Sequence, residues 1–399
     1  MKTVSPDYDC IIVGAGLVGM AQAIALQREG LHVALIDTRK PAHDTSVSDP
    51  RGLALSPSSQ AFLNVLGLWE GLEGVIQPIR HIHVSDQGHF GVTRMNARDV
   101  GLDALAYVCP ANHLLGSLQR GVTNVDILWQ TGVEDISDSH NASILRVREG
   151  KEVRDISARL IIGADGINSK VRESLGIKTR VYDYEQIAIV ANVTLQYGDG
   201  DTAYERFTRS GPLALLPLSH TRHVVVRCCR SDQCVDVLEQ SDDEFVASLE
   251  AGFGYRFGAM NKLSKRSAHV LSLIQARQII GRRSALVGAA AMAIHPNGAQ
   301  GLNLGLRDVS QLAHLVGVKF AAEQDIGADE CLAQYAGARS TDHRAIVRFT
   351  DSLARVFATS LTPVAVLRNL AMLGLDITPA AKNWLVHRAT GALAQTMLH

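Results

Sequence analysis

The sequence predicts an α/β protein in which a parallel sheet is interleaved with an antiparallel sheet, followed by a helical C-terminal region. The first observation is a set of short, almost entirely apolar runs, which are typical of strands buried in a parallel sheet. These runs occupy residues 8–13, 31–36, 158–163 and 284–287. The second observation is the β-like composition of residues 187–229, and the third is the helical composition from residue 304 onward.

Because the parallel-type strands lie far apart along the chain, we expect discontinuous domains. The first domain is predicted to comprise residues 1–75, 105–180 and 280–355, and the second residues 76–104 and 181–279. Residues 356–399 are predicted to form the helical C-terminal region.

The first predicted strand is followed by a turn and a helix with the spacing G-x-G-x-x-G of a dinucleotide-binding unit. Gly14 permits a sharp turn, Gly16 lets a pyrophosphate approach the backbone, and Gly19 allows close packing of helix on strand. Asp37, at the end of the next strand, is placed to accept hydrogen bonds from ribose hydroxyls. This Rossmann-like unit predicts binding of NAD or FAD, which the motif alone does not distinguish.

Composition and charge narrow the class of protein. Of the 399 residues, 46% are hydrophobic and 20% are charged, which is ordinary for a soluble globular protein. The net charge of −1 creates no overall field that would recruit nucleic acid. The sequence has no secretory signal pattern and no apolar run of the ~18 residues that a membrane-spanning helix needs. We therefore expect a cytoplasmic protein, either soluble or peripheral on the inner face of the membrane.

Two later motifs resemble those of single-component flavoprotein aromatic hydroxylases. The first is Gly163-Ala164-Asp165-Gly166, followed by Ser169, Val171 and Arg172. The second begins at His295-Pro296 and continues through Gln300-Gly301-Leu302-Asn303-Leu304-Gly305-Leu306-Arg307-Asp308. The resemblance implies that the dinucleotide is FAD and that both motifs lie near the flavin. A helix N-terminus at the flavin ring would stabilise the anionic reduced flavin.

A narrower resemblance, to the FAD-dependent hydroxylases of ubiquinone biosynthesis, covers residues 8–357. It rests on the segments Asp49-Pro50-Arg51, Leu66-Gly67-Leu68-Trp69, Tyr204-Glu205-Arg206-Phe207-Thr208, 211–217 and 344–353. It implies a p-hydroxybenzoate hydroxylase-like fold and a monooxygenase that uses NAD(P)H and O₂. In this family NAD(P)H reduces FAD, O₂ forms a flavin C4a-hydroperoxide, and an electron-rich phenol attacks the distal oxygen. The implied substrate is a polyprenylated phenol.

The site residues follow from these motifs. His295, Pro296, Gln300 and Gly301 are assigned to the catalytic loop, where His295 is either a polar group near the flavin or a packing residue. The residues assigned to cofactor binding are Gly14, Gly16, Leu17, Val18, Gly19, Asp37, Arg51, Asp165, Gly166, Gly288, Ala289, Gly298, Ala299, Gln300, Gly301, Leu302 and Asn303. No metal site is predicted, because His81 and His83 have no third ligand spaced with them.

The chain departs from the family pattern at the predicted flavin site. Ala289 stands where relatives carry an acid or amide that contacts the ribityl chain, and Ala299 stands where they carry Gly. Losing one hydrogen bond would cost about 0.5–1.5 kcal/mol, or three- to tenfold in FAD affinity. These departures leave open an alternative function, a non-catalytic lipid-binding or scaffolding subunit with a vestigial flavin site. A flavin halogenase is disfavoured, since its Trp-x-Trp-x-x-Pro segment is missing.

A helix is predicted near the C-terminus, with Thr362 as N-cap, Pro363 in the first turn and Gly374 as the stop. Its apolar residues include Leu367 and Leu370, and it is too short to cross a bilayer. The helix either covers the protein's own core or docks on a membrane or a partner subunit. A homodimer and a multi-subunit biosynthetic complex are the assemblies considered, and no nucleic-acid partner is expected.

Overall fold

The structure is a computed structural model, and it describes residues 5–40, 51–208, 210–294, 300–358 and 362–390. The helices are α1 (Leu17–Arg28), α2 (Pro57–Val65), α3 (Ala111–Gly121), α4 (Lys170–Ser174), α5 (Ser231–Glu239), α6 (Asp242–Phe253), α7 (Gln300–Ala321), α8 (Asp329–Ala358), α9 (Thr362–Ile377) and α10 (Pro379–Thr390). Short 3₁₀ turns occupy Glu70–Leu72, Ala97–Val100 and Gly288–Ala290.

The strands form three sheets, two large and one small. They are β1 (Tyr8–Val13), β2 (Val33–Asp37), β3 (Gly52–Leu55), β4 (Gln77–Ile79), β5 (His81–Asp86), β6 (Val92–Asn96), β7 (Ala106–Pro110), β8 (Asp126–Trp129), β9 (Thr131–Asp138), β10 (Ser143–Glu149), β11 (Glu152–Gly163), β12 (Thr179–Leu195), β13 (Thr202–Thr208), β14 (Gly211–Pro217), β15 (Arg222–Arg230), β16 (Met260–Asn261), β17 (Ser267–Ala276), β18 (Ile280–Gly281), β19 (Ser284–Leu286) and β20 (Met292–Ala293). The predicted α/β class is confirmed.

The first sheet has the parallel order β19-β11-β1-β2-β8, with β18 antiparallel at one edge. Its strands are apolar along their length because both faces are covered. Ile12 packs into the core that α1 and α7 complete, whereas Ile11 packs on the other face with Leu145 and Val147 of β10. The carboxyl ends of β1, β11 and β19 meet at one edge, which is where a ligand binds in sheets of this kind.

The second sheet has the order β20-β17-β12-β15-β14-β13-β5-β6. It is antiparallel as predicted, except that β13 and β5 pair in parallel. This exception arises because β5 enters the sheet from a different part of the chain and not through a hairpin with β13. Helices α5 and α6 cover one face, where Phe245 and Leu249 pack against Tyr204 and Leu215. The strands of a small third sheet, β3-β7-β4, are interleaved in sequence with β5 and β6 of the second sheet.

The C-terminal helix α9 differs from the prediction in length. It begins at Thr362, the predicted N-cap and one residue before the predicted start, and it continues through Gly374 to Ile377. Contacts with β6 extend beyond that glycine: Thr93 Oγ1 donates to the Met372 carbonyl at 2.9 Å, and Arg94 N donates to Asp376 Oδ1 at 2.7 Å. Tertiary contacts thus outweigh the helix-ending preference of a single glycine.

Helix α9 presents its polar side to the protein. Arg368 Nε donates to Asp86 Oδ2 at 3.0 Å, and Asn369 Nδ2 donates to the same oxygen at 2.9 Å. The apolar side chains on the opposite side of the helix are exposed, and they are Val366, Leu367, Leu370, Leu373 and Ile377. We call these five residues the α9 apolar stripe. Among the described residues, no helix is long and apolar enough to span a membrane.

Candidate active site

The glycine-rich turn after β1 packs against the second motif after β11. Gly14 has a φ of +107°, and a Cβ added there would lie 2.5 Å from the carbonyl oxygen of Ala164. A Cβ on Gly19 would lie 1.8 Å from the carbonyl oxygen of Gly14. The two positions therefore require glycine for packing, whereas a Cβ on Gly16 would have no neighbour within 4 Å. Of the three glycines, Gly16 is the one that faces open space, as the phosphate position requires.

Asp37 holds this turn in place. Its Oδ2 accepts a hydrogen bond from Ala15 N at 2.8 Å, and its Oδ1 accepts from Arg39 N at 2.8 Å and Arg39 Nε at 3.0 Å. Desolvation opposes ionisation, but the hydrogen bonds from Arg39 and Ala15 outweigh it and lower the pKa of Asp37. The predicted contact with ribose would require Arg39, whose side chain is 70% exposed, to give up part of its hold on Asp37.

Asp165 has one carboxylate oxygen engaged and one free. Its Oδ2 accepts from Lys170 N at 2.6 Å and from Val171 N at 3.1 Å, and so caps the start of α4. Its Oδ1 is buried and has no hydrogen-bond partner within the part of the chain that the structure describes. A buried acceptor without a partner is costly, so this atom is suited to a donor group on a bound ligand.

The turn Gly288–Ala290 lies beside the start of α1. A Cβ on Gly288 would lie 3.0 Å from Val18 Cγ1, and one on Gly305 would lie 2.9 Å from Val18 Cγ2. The backbone N–H of Gly288 donates to Asp308 Oδ2 at 3.1 Å. Ala289 is exposed, so a longer side chain can be accommodated at this position.

Asp308 joins this turn to helices α7 and α8. Its Oδ1 accepts from Arg339 Nε at 2.6 Å and from His343 Nε2 at 2.8 Å, and its side chain is fully buried. Desolvation opposes ionisation here too, but Arg339 and His343 outweigh it and lower the pKa of Asp308. The sequence motif marked Asp308 but not its partners. Their spacing of four residues along α8, which places both on one side of the helix, is the signal that could have identified them.

The first turn of α7 is hydrogen-bonded to residues 54–59, which follow Arg51 in the chain. The Asn303 side chain accepts from Ser56 N at 2.8 Å and Ser59 Oγ at 2.7 Å, and its Nδ2 donates to the Ala54 carbonyl at 2.9 Å. The polar atoms of this amide are thus bonded to the protein. Cofactor binding by Asn303 stays a prediction, and it would involve the backbone of this residue.

The structure brings most of the predicted cofactor residues to one edge of the first sheet. Leu17 and Val18 begin α1, Gly166 follows Asp165 with a φ of +82°, and Gln300, Gly301 and Leu302 begin α7. Arg51 lies exposed just before β3. His295, Pro296, Gly298 and Ala299 lie outside the described residues.

These features fit FAD. The N-terminus of α1 and the open position at Gly16 suit a pyrophosphate, and the free Asp165 oxygen suits a hydroxyl donor. The N-terminus of α7 lies on the same edge of the sheet, where its dipole favours the negative charge of a reduced flavin.

Comparison with known proteins identifies the family. A family model described as an FAD binding domain matches residues 7–350. The ubiquinone hydroxylase UbiL of Rhodospirillum rubrum is 34% identical over 402 residues, covering 96% of this chain and 90% of that protein. The chain belongs to the FAD-dependent hydroxylase family of ubiquinone biosynthesis.

Two further comparisons agree with this membership. The 3-demethoxyubiquinol 3-hydroxylase of Escherichia coli is 28% identical, covering 95% of this chain and 97% of that protein. The crystal structure of p-nitrophenol 4-monooxygenase from Pseudomonas putida has a TM-score of 0.80 with 18% identity, covering 97% and 99% of the two chains. The predictions of an FAD-dependent monooxygenase and of its p-hydroxybenzoate hydroxylase-like fold are confirmed. In this family NAD(P)H is the typical electron donor.

Replacing Ala289 with Asp should raise FAD affinity about three- to tenfold, which corresponds to one added hydrogen bond. The position is exposed, so the carboxylate can be added without displacing packed atoms. Titration of the apoprotein with FAD, followed by flavin fluorescence, would measure the change. Ala289→Leu is the control, since it adds volume but no acceptor. Equal or weaker affinity in Ala289→Asp would show that the ribityl chain is held elsewhere.

Proposed function

We propose that this hydroxylase inserts one oxygen atom from O₂ into the ring of a polyprenylated phenol during ubiquinone biosynthesis, with NAD(P)H as electron donor. The observation that carries the proposal is the meeting of the glycine-rich turn, the Asp165 segment and the start of α7 at one sheet edge in a relative of ubiquinone hydroxylases. The sequence motifs look closest to those of 2-octaprenyl-6-methoxyphenol hydroxylase, which supports a prenylated phenol as the substrate.

Bound FAD would supply the redox chemistry, by accepting a hydride from NAD(P)H and reducing O₂. The protein's own contribution is binding and placement. Backbone N–H groups of α1 would hold the pyrophosphate, and the α7 N-terminus would stabilise negative charge at the ring. The Asp308 network fixes the Gly288 turn against α7 and so sets the geometry between these two helix ends.

Assay of the purified protein tests this function. We expect a visible flavin spectrum, NAD(P)H oxidation that depends on the prenylated phenol, and a product heavier by one oxygen atom. Labelling with ¹⁸O₂ should place the heavy isotope in the product. A protein that binds prenylated phenol but neither retains nor reduces FAD would instead favour the scaffolding alternative.

The exposed apolar side of α9 suits an enzyme that takes its substrate from a lipid surface. A polyprenyl chain is nearly insoluble in water, so the enzyme must take its substrate from lipid or from a carrier. The α9 apolar stripe exposes five large side chains on one side of a helix, and Trp384 of α10 is 61% exposed. An apolar helix side with a nearby Trp is typical of proteins that lie on a bilayer surface. We propose peripheral docking of α9 on a membrane.

Replacing both Leu367 and Leu370 with Glu should reduce co-flotation with phospholipid vesicles by tenfold or more, because two exposed apolar side chains are lost. NAD(P)H oxidation by the flavin should change little. The matched control is Val235→Glu with Leu238→Glu on α5, which has the same spacing and is also exposed. Unaltered flotation would reject lipid docking, and loss of a dimer or complex instead would assign the stripe to a protein partner.

A further inference from the structure

Glu205 is a single carboxyl in an apolar row that crosses the second sheet. On β13 it lies opposite Val84 of β5 and Ala214 of β14, and Ala214 lies opposite Val226 of β15. Side chains directly opposite one another in a sheet share a face. The neighbours Tyr204 and Arg206 point to the other face, where Tyr204 packs in the core beneath α5 and α6.

The Glu205 face is the one that faces the FAD-binding part of the molecule. Ala203, two residues earlier on the same face, packs in one cluster with Ile79 and Val108 of the small third sheet. On the same face, Val224 Cγ2 lies 2.7 Å from where a Cβ on Gly52 would be. Gly52 begins β3, the strand whose Ala54 carbonyl is bonded to the first turn of α7. The row therefore faces the side of the molecule that carries Gln300-Gly301-Leu302-Asn303, the segment predicted to lie near the flavin.

Part of this face is accessible to solvent. Its partly accessible members are Val84, Glu205, Ala214, Leu216 and Val226, whereas Ala203, Val224 and Cys228 of the same face are buried. In the same strands the residues beneath α5 and α6 are buried, and these are Tyr204, Leu213, Leu215 and Val225. The accessible residues surround Glu205, so this is the part of the face that is open to an apolar ligand.

The surroundings of Glu205 favour its neutral form. Desolvation raises the pKa of Glu205 to about 7 from an ordinary value of 4.5. The neighbouring strands present Val84, Ala214 and Val226, which carry no charge. Among the described residues, Cys228 and Asp86 are titratable groups on the same face. Burial, followed by the charge of Glu205, raises the thiol pKa of Cys228 to about 12. Asp86, which lies opposite Phe207, is paired with Arg368 of α9. The described residues directly across from Glu205 on the neighbouring strands are uncharged, and the cation Arg368 is bonded to Asp86.

We propose that Glu205 binds the hydroxyl group of the phenol substrate and accepts its proton. This inference rests on the proposed function, and it names the group that activates the substrate. In the step, the phenol O–H bond breaks, the proton moves to a carboxylate oxygen of Glu205, and the electron pair stays on the phenolate oxygen. The ring of the phenolate is more electron-rich than that of the neutral phenol, and so it reacts more readily with an electrophilic oxygen atom.

The proton affinity of Glu205 suits this role. A phenolic hydroxyl has a pKa of about 10, so an ordinary glutamate would be a base too weak by about 5.5 pKa units. With a pKa of about 7, Glu205 reduces that difference to about 3 units, which favours proton transfer within a hydrogen bond. The same carboxyl is still largely ionised at slightly alkaline pH, and is therefore ready to accept a proton.

The test compares Glu205→Gln with wild type, with Glu205→Asp as the conservative variant. Hydroxylation of the prenylated phenol should fall ~100-fold or more in Glu205→Gln, the usual contribution of a general base, and recover in part in Glu205→Asp. In wild type, kcat/KM should fall as pH drops through about 7, and this limb should be lost in Glu205→Gln. FAD content should stay unchanged. Glu250→Gln is the matched control, since Glu250 lies on α6 at the opposite face and accepts from Met260 N.

A second measurement needs neither cofactor turnover nor substrate. Because its folded pKa is raised, ionisation of Glu205 destabilises the folded protein as pH rises through about 7. The melting temperature of Glu205→Gln relative to wild type should therefore increase between pH 5 and pH 8, and that of Glu250→Gln should not.

The outcomes separate the two proposals. If wild type hydroxylates no prenylated phenol, the proposed function fails, whatever Glu205 does. If wild type hydroxylates the phenol and Glu205→Gln does so with an unchanged rate and pH profile, the role of Glu205 is overturned. A large loss in Glu205→Gln that Glu205→Asp does not relieve, with an unchanged pH profile, would assign Glu205 to packing and also overturn the proposal.

Discussion

Replacing Gly16 with Val is expected to abolish retention of FAD while leaving the protein folded. The Cβ of the new side chain would meet nothing within 4 Å, so the strand and helix can pack as before. Gly16 is the N-cap of α1 with extended backbone, and loss of a favourable cap residue costs only about 1 kcal/mol. The valine methyl groups would instead fill the space through which a pyrophosphate approaches the backbone.

The matched control is Gly19→Val in the same turn. Its Cβ would lie 1.8 Å from the Gly14 carbonyl oxygen, so the turn itself must open and the melting temperature should fall steeply. Flavin absorbance after gel filtration and thermal unfolding would be measured on both variants. Wild-type flavin content in Gly16→Val would contradict the placement of the pyrophosphate, and unfolding of that variant would contradict the open space at Gly16.

Replacing Asp308 with Ala is expected to lower the free energy of unfolding by about 3 kcal/mol, the lower end of the cost of breaking a buried ion pair, since Arg339 loses Asp308 but keeps its bond to Asp342 Oδ2 at 2.7 Å. It also removes the acceptor of the Gly288 N–H, so FAD affinity should fall with stability. Denaturant unfolding of the apoprotein would measure the first effect, and FAD titration the second.

An exposed ion pair provides the comparison. Asp155 pairs with Arg146 at 3.0 Å, and both side chains are more than half exposed, so Asp155→Ala should cost less than about 1 kcal/mol. The pKa of Asp308 is lowered in the folded state, so its contribution to stability is present at neutral pH and lost as pH falls through the folded pKa. Asp308→Ala should therefore be less sensitive to acid than wild type. A loss as small as that of Asp155→Ala would show that the bonds of Asp308 add little to the packing of α7 against α8.

The glycine-rich turn could be predicted from sequence because its requirements are local. Gly14 needs a positive φ and Gly19 a close approach, and each shows as a glycine at fixed spacing. The Asp165 segment was located by its motif, but its contact with Gly14 depends on the parallel pairing of β1 with β11, some 150 residues later in the chain. Such pairings carry no local signal.

Other features were mispredicted or missed because the deciding contact is distant in sequence. Gly374 does not end α9, since Asp376 is bonded to Arg94 of β6. The bonds of the Asn303 side chain to Ser56 and Ala54 were missed, while its assignment to the cofactor stays a prediction. Glu205 lies in the family segment Tyr204-Glu205-Arg206-Phe207-Thr208. Its neighbours on the sheet face are apolar, and this is evident only from the register across β5, β14 and β15.

The polar side of α9 contacts the protein and its apolar side is exposed, and this orientation has an evolutionary consequence. Arg368 and Asn369 of the helix share one carboxylate oxygen of Asp86, and Asn369 Oδ1 also accepts from Gly91 N at 2.7 Å. Losing Asp86 would take this carboxylate from the buried guanidinium of Arg368, and losing Arg368 would take this cation from the buried carboxylate of Asp86. In homologous sequences we therefore expect these two positions to be replaced together. The exposed stripe on the other side of α9 is free of that restriction, so its residues can change independently of one another.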